Sequence, residues 1–475
     1  MKAALAYSGL TSSRAHSRTG LRRSAARSAF VLVAVLVVVV LTSMVAVSLL
    51  FHLKAEETAA TATASSEQAW AAAMAGVYEA MRVLAISRPG DLSWRDNPAA
   101  FRSRLVADDG VDRWYFTVFA PADPDAHDPI RYGLTDEASR AHLNKLAETN
   151  LLQLPGMTPA LAQAILDFVD ADWTARPDGA EQPFYDQLPT PYAIPNGPLQ
   201  ALEELLLVRG MTPALFFGED ANQNFQLDPN EDDGDARFPP DNRDGRLDLG
   251  LRQYLTVWSY EYEDDDSGAP RIDLNDPTAP LPEALAEPVA RYILALRTNK
   301  VTVAHPAELL EAVTQVKDPS GKILELASGV GRDQLPMVLD LLTARTEYCV
   351  EGLINVNTAP VPVLATVPGL DVALAEAIVS ARRGLPPERR RSIAWLYQEG
   401  VMDAATFKRL APYLTARSFQ FTARVVGYGL PSGRYRVLEA LIDRAEGRPV
   451  VVSLRDLTRL GLPLKLSSTL EVAGG

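Results

Sequence analysis

Residues 28–53 read SAFVLVAVLVVVVLTSMVAVSLLFHL, and residues 54–86 continue as KAEETAATATASSEQAWAAAMAGVYEAMRVLAI. The first stretch runs 26 residues without Asp, Glu, Lys or Arg. About 20 apolar residues span a bilayer core, so it is long enough to cross with some tilt. The second stretch is rich in Ala, Glu and Met, which favour helix, and Gly76 is its only Gly or Pro. Trp70, Met74, Val77, Met81 and Leu84 recur at spacings of three and four, an amphipathic stripe. Together the stretches predict one helix, half in lipid and half in water, ending at the Arg88-Pro89-Gly90 breaker.

Upstream, residues 1–27 carry Lys2, Arg14, Arg18, Arg22, Arg23 and Arg27 and no acid. The positive-inside rule keeps such a leader in the cytoplasm and places everything after Lys54 on the other side. A cleaved secretory signal fits less well, because its apolar region is usually only ~7–15 residues.

The 475 residues as a whole are 47% hydrophobic and 22% charged, the composition of a globular protein. A lone cysteine, Cys349, excludes an intrachain disulfide and a cysteine-rich metal cluster. Within TEYCVEG it reads as a buried thiol. With five histidines, a His-ligated catalytic metal has little to draw on, and His142 and His305 read as isolated surface residues. Asp167, Asp170 and Asp172, in DFVDADW, read as the acidic surface of a helix end. No constellation here supports an enzyme.

An internal repeat organises the interior. Residues 154–166 read LPGMTPALAQAIL and residues 367–379 read VPGLDVALAEAIV, identical at seven of 13 positions at an offset of 213. A partial third copy, VRGMTPAL, covers residues 208–215. The Gly-containing turn precedes Thr158 or Asp371, either of which can cap the next helix. Leu161 and Ile165, like Leu374 and Ile378, fall on one helical face. These are units of the helix-hairpin-helix type. Asn144, Asn275, Asn355 and Asn357 follow apolar residues in a second short pattern and are expected to turn and cap following helices.

Between the two repeats, residues 219–276 hold 17 Asp and Glu against five Arg, nearly the whole net charge of −14. Asp220, Asn222, Asn224, Asp228 and Glu231 occupy positions 1, 3, 5, 9 and 12 of a 12-residue calcium loop. Gln226 supplies the position-7 carbonyl, and Leu227 sits at hydrophobic position 8. Phe225 stands at position 6, where the motif prefers Gly. A second stretch, Asp241 to Asp248, has that Gly (Gly245) but Pro240 at position 1 and Leu251 at position 12, half a site. Asp264, Asp265 and Asp266 read as a solvated turn. Residues 113–120, 420–427, 435–440 and 449–454 have the patterns of strands.

The order of these parts resembles the large K-type minor pseudopilin of type II secretion. The resemblance rests on the basic leader before Phe30-Val31-Leu32-Val33, on YGLTDEAS at 132–139, on the paired Pro-Gly units with INVNTAP at 354–360, and on NGPLQALEELLLVRGMTP at 196–213. It implies an α+β fold: a long N-terminal transmembrane and pilin helix, pilin-like strands, and a large inserted α-helical domain with two helix-hairpin-helix (SAM-like) units. The chain then divides into a leader at 1–29, the helix at 30–87, first strands at 88–135 and a first hairpin unit at 136–218. The acidic insert at 219–276, a helical segment at 277–350, a second hairpin unit at 351–416, and strands and tail at 417–475 complete it. The resemblance further implies a non-enzymatic, single-pass subunit of the bacterial inner membrane with its bulk in the periplasm. It would assemble with I- and J-type minor pseudopilins at the pseudopilus tip, and calcium is a cofactor among such proteins. Prepilin peptidase would cut at Ala29–Phe30. Ala34, fifth after that bond, lacks the Glu that most pseudopilins carry to pair with a neighbour, as suits a subunit with nothing above it.

An anchored DNA-uptake receptor is the competing reading. DNA-binding hairpins place a second Gly near the first, and neither unit has it. Arg382, Arg383, Arg389, Arg390 and Arg391 cluster beside the second unit and read as a solvated face. The negative net charge favours no nucleic-acid partner.

Overall fold

The computed structural model describes residues 21–88, 90–123, 126–317 and 323–464. Most of the basic leader and the tail beyond Leu464 lie outside the described residues. The chain forms two units, Met1–Glu67 and Gln68–Gly475. In the first, helix α1 (Leu21–Ile86) exposes every side chain from Phe30 to Thr61. Its most apolar window has a mean hydropathy of 3.1, and it is the one helix among the described residues long and apolar enough to cross a membrane. The helix runs unbroken to Ile86, as its composition predicts.

The second unit is built on a seven-stranded sheet. Its strands are β1 (Arg104–Asp108), β2 (Arg113–Pro121), β3 (Ile130–Arg131), β4 (Thr135–Asp136), β5 (Gln420–Leu430), β6 (Tyr435–Asp443) and β7 (Val450–Asp456). The order across the sheet is β1-β2-β5-β6-β7, with β3 on β2 and β4 on β5. Every pairing is antiparallel, and β2 meets β5 with Val118 opposite Val425. The alternating apolar residues of these strands make two cores, one per face. Phe116, Val118, Ala423, Val425, Leu438 and Ala440 pack under α1, while Tyr115, Phe119, Val426, Tyr428 and Val437 line the other face.

Contact between α1 and the sheet is unusually close. Val77 and Leu84 of the predicted stripe are buried, but Trp70, Met74 and Met81 sit at its margin. The closest face is Ala69, Ala72, Ala73 and Ala80. Two glycines allow this. A Cβ on Gly427 would lie 2.2 Å from Ala73 N and 2.4 Å from Ala69 O, and one on Gly76 would lie 2.5 Å from Val425 Cγ1. Arg444, nearly fully buried, then holds the end of the helix by donating to the carbonyls of Leu84, Ser87 and Arg88 at 2.9–3.1 Å.

Residues 137–419, between β4 and β5, carry their own core of more than one layer of short helices. The two repeat segments contain α2 (Glu148–Leu151) with α3 (Pro159–Val169), and, beyond α4 (Pro213–Phe217) and α5 (Glu287–Thr298), α6 (Val361–Leu364) with α7 (Val372–Arg383). The turn is built three times. Gly156, Gly210 and Gly369 take φ of +75°, +84° and +80°, which glycine adopts without strain. Thr158, Thr212 and Asp371 then cap α3, α4 and α7 by accepting from the third N–H on, at 2.8–3.2 Å. Residues 277–350 are not purely helical: Val313–Lys317 and Ile323–Ala327 form a hairpin.

The asparagines are clamps rather than helix caps. Asn144 donates to Leu199 O (3.1 Å) and accepts from Leu199 N (3.0 Å). Asn275 does the same to Val303, at 2.9 Å for both bonds. Each side chain substitutes for one rung of a β-ladder, satisfying backbone groups where no strand pairs. Asn355 instead donates to Asp136 Oδ2 and Ser418 Oγ.

Candidate metal centre

The loop after α4 folds back on itself so that the side chains of Asp220, Asn222, Asn224, Asp228 and Glu231 converge. Asp220, Asn224 and Glu231 are buried, and Asn222 and Asp228 half-buried. Asp220 accepts from the N–H groups of Asn224 (2.9 Å) and Phe225 (3.0 Å). Glu231 accepts from Ala221 N and Asp228 N through different oxygens. Asn222 and Asn224 both donate Nδ2 to Asp228 Oδ2, at 2.7 and 2.9 Å. All five side chains named from the sequence thus meet. Gln226 turns its side chain away, onto Pro463 O.

The donor set fits a hard divalent cation. Three carboxylates, two amide oxygens and the Gln226 carbonyl are all-oxygen, as calcium requires. Presenting Oδ1 to an ion would require the two asparagine amides to turn over, at the cost of the bonds that Oδ1 accepts from Asn224 N and Gln226 N. The charge is uncomfortable without one: burial, helped by Asp220 and Asp228, pushes Glu231 up to about 7, and burial raises Asp220 as well. Phe225 adopts φ +63°, the left-handed conformation that position 6 demands of its usual Gly.

A copy of this loop lies twenty positions on. Gln223 and Arg243 have φ +55° and +56°, and Phe225 and Gly245 have +63° and +71°. Asn222 Oδ1 accepts from Asn224 N, as Asn242 Oδ1 does from Asp244 N. Asn224 Oδ1 accepts from Gln226 N, as Asp244 Oδ1 does from Arg246 N. The carboxylate missing from the second copy comes from upstream. Glu219, buried, accepts from Asn242 N and Asp248 N as Glu231 does from Ala221 N and Asp228 N. Sequence spacing missed Glu219 because it precedes its loop. Its one signal was the acidic pair it forms with Asp220.

The outward side of the first loop rests on the sheet. Arg424 of β5 donates to Gln223 O at 2.5 Å, and its guanidinium lies 4.5 Å from the centre of the Phe225 ring. Phe225 also meets Phe119 of β2 edge-on at 6.0 Å. Arg424 pairs with Glu439 of β6, which Arg252 also binds at 3.0 Å, and Arg252 reaches Gln223 Oε1 at 2.7 Å. Burial works against the charge of Glu439, but Arg424 and Arg252 hold it well below the ordinary carboxylate range.

In the second acidic cluster Asp172 is exposed, as expected of a helix-end surface, and Asp170 is half-buried, but Asp167 is not at the surface. Asp167 is fully buried, and Arg176 binds it (2.5 Å) and Asp170 (2.7 Å). Among the described residues, Asp170, Asp172 and Glu181 bring one carboxylate oxygen each within 4.8 Å of one another. Glu181 is 4% exposed with no hydrogen-bond partner on either oxygen, and burial raises it above the usual carboxylate range.

Other expectations need correction. Cys349 is exposed: its strand, Cys349–Glu351, turns Val350 inward instead. His142 is buried in the strand Ala141–His142. His305 caps the turn Pro306–Leu309 through Nδ1, and burial, with Arg345 and Arg271 nearby, pulls it down to about 3. Arg382 is no solvated cation; it is buried and donates to Val356 O and Ala359 O.

The residue patterns at 132–139 and 354–360 meet at one point. Asp136, fully enclosed and pushed up to about 6 by burial, accepts from Asn355 Nδ2 (3.0 Å), Thr358 Oγ1 (2.5 Å) and Ser418 Oγ (2.9 Å). Glu137 beside it accepts from Thr256 and Thr422, at 2.6 Å each. Both segments lie inside matches to family models described as type II secretion system (T2SS), protein K, covering residues 131–217 and 354–414. The two matches together take in just under a third of the chain, and over those segments it is similar to that family. The chain has an α+β architecture with a long apolar N-terminal helix. A solved structure, the GspK-GspI-GspJ complex from the type 2 secretion system of enterotoxigenic Escherichia coli, is similar at 13% identity and a TM-score of 0.40. That alignment covers 84% of this chain and 98% of that one. No curated protein matches.

Proposed function

We propose that this chain is a tip subunit of the periplasmic pseudopilus. It is anchored once in the bacterial inner membrane and assembles with I- and J-type minor pseudopilins to initiate the pseudopilus and support protein export. It is not an enzyme. The observation that carries the reading is α1. A span without Asp, Glu, Lys or Arg over residues 28–53 continues into a half packed on an antiparallel sheet, and Ala34 offers a neighbour's amine no partner. The two Pro-Gly units act as SAM-like helix-hairpin-helix supports of the inserted domain. Prepilin peptidase removes the leader at Ala29–Phe30. N-terminal sequencing of the membrane-extracted protein tests this directly: a start at Phe30 supports it, and an intact Met1 in cells with active peptidase refutes it. Co-purification with I- and J-type subunits, and loss of export on deletion, test the assembly role.

Calcium is the proposed cofactor of Asp220, Asn222, Asn224, Asp228, Glu231 and the Gln226 carbonyl. Its role is structural, stabilising the folded state by binding it alone. The partnerless, buried Glu181 favours Asp170, Asp172 and Glu181 as a second place for a divalent cation. Melting of the full chain in detergent separates the two. Asp220→Ala with Glu231→Ala should remove most of the calcium-dependent rise, and Glu181→Gln a separate part. Equal melting temperatures in calcium and chelator would exclude both.

A further inference from the structure

The loop Asp220–Glu231 has two sides with different duties, and Phe225 belongs to the outer one. Asp220, Asn222, Asn224, Asp228 and Glu231 turn inward. Gln223, Phe225 and the Gln226 side chain turn outward onto Arg424, Phe119 and Pro463. A phenylalanine at φ +63° is strained where glycine would be at ease. Cation binding alone therefore gives no reason for Phe225 at this position. Its ring gives one, because it inserts between β2 and the charged cluster of Arg424, Glu439 and Arg252. The contacts on Phe225 come from both edges of the β2–β5 pair, and the bond from Gln226 reaches the segment that follows β7. Loop and sheet are thus joined through three outward residues, Gln223 and Phe225 each next to an inward ligand and Gln226 two residues from one.

We infer that Phe225 makes this loop a latch, so that divalent-cation occupancy of the inward side chains sets how firmly the inserted domain is held on the pilin-like sheet. The inference rests on the calcium reading of the loop. A loop fixed by its ion presents Gln223, Phe225 and Gln226 in one arrangement; a loop without it samples others, and the outward contacts weaken together. Linkage makes the effect reciprocal: contact with the sheet tightens cation binding by the factor by which the cation tightens contact.

The test uses the full chain in detergent, with calorimetry for calcium and amide hydrogen exchange for the sheet, in calcium and in chelator. In the unmodified protein, calcium should bind and should slow exchange at least tenfold at residues 422–426 and 457–463. Phe225→Gly should still bind calcium, since it restores the residue the motif prefers, yet lose the calcium-dependent slowing at those sheet residues. Gln226→Ala keeps the carbonyl ligand and should lose the slowing at 457–463 only. Absence of calorimetric binding to the unmodified protein would overturn the calcium reading and the latch with it. Binding with unchanged sheet exchange, or full slowing retained in Phe225→Gly, would overturn the latch alone.

Discussion

Replacing Gly427 by Ala tests whether α1 and the sheet are held at their present separation by missing side chains. The added methyl would lie 2.2 Å from Ala73 N, where ordinary contact begins at 3.4 Å, so the surfaces must part by 3.4 − 2.2 = 1.2 Å. The obstructing atoms are helix backbone, so no rotamer change relieves the clash. A gap of 0.5–1 Å forfeits a quarter to a half of each atom pair's ~0.1–0.2 kcal/mol, and a few tens of pairs join Ala69, Ala73 and Val77 to the sheet. The loss comes to about 2–4 kcal/mol, at or slightly above the usual cost of overpacking a core. For a unit this large, each kcal/mol moves the melting temperature by roughly 1 °C, so a fall of about 2–5 °C is expected. Thermal denaturation of the full chain in detergent, followed by near-ultraviolet circular dichroism, reads it. Gly331→Ala is the control, because a Cβ there meets nothing within 4 Å and φ is not positive. Truncating Ala69 or Ala73 should give no rescue. A Gly427→Ala protein that melts with the control would refute the close-packing argument.

Glu231 predicts an inverted pH response. Its folded pKa of about 7 exceeds the ordinary carboxylate value, so without calcium its contribution is full below about 4.5 and is lost as pH rises through about 7. Calcium binds the ionised form, so its affinity should rise over that interval, with proton release on calcium addition near pH 7; a flat affinity between pH 5 and 8 would contradict the assignment. Asn275→Ala should cost about 1–3 kcal/mol by stranding both backbone groups of Val303, and Asn144→Ala the same for Leu199. Chemical denaturation of the two single variants and the double should give additive losses. Cys349 should react with a thiol reagent in the folded state, slowly at neutral pH because burial and Glu351 raise its pKa; reaction only after unfolding would contradict its exposure. Arg382→Ala should destabilise the second hairpin unit by exposing two buried carbonyls to loss of their donor, leaving gel-shift behaviour with duplex DNA unchanged.

The elements that read clearly in sequence are those whose pattern is local. The uncharged span, the alternation from Arg113, the folded-back loop from Asp220 and the repeated Pro-Gly turns each need only neighbours along the chain. What escaped is set by distant partners. Strand β1 has no alternation because all five of its residues are exposed, and it is a strand only through β2. Cys349, read as buried, lies on the exposed face of its strand, because pairing opposite Tyr262 fixes the register. Arg382 looked like a surface charge because the carbonyls it satisfies lie 23 and 26 residues away. Asp136 was part of a recognisable pattern, but its partners are spread from Asn355 to Ser418, and no spacing rule reaches that far.

Arg444 gives the end of α1 a mechanical character. Its guanidinium grips three successive exits of the helix, at Leu84, Ser87 and Arg88, while its own backbone continues from β6. Tension along the helix axis would therefore load the glycine-lined contact lengthwise. Lengthwise loading makes many small contacts fail together instead of one after another, the geometry in which weak interactions resist force best. The rivet sits at the far end of that seam and keeps it from sliding as a whole. Under single-molecule pulling along α1, the seam should give way in one abrupt step, and Arg444→Ala should turn that step into a graded unzipping at lower force.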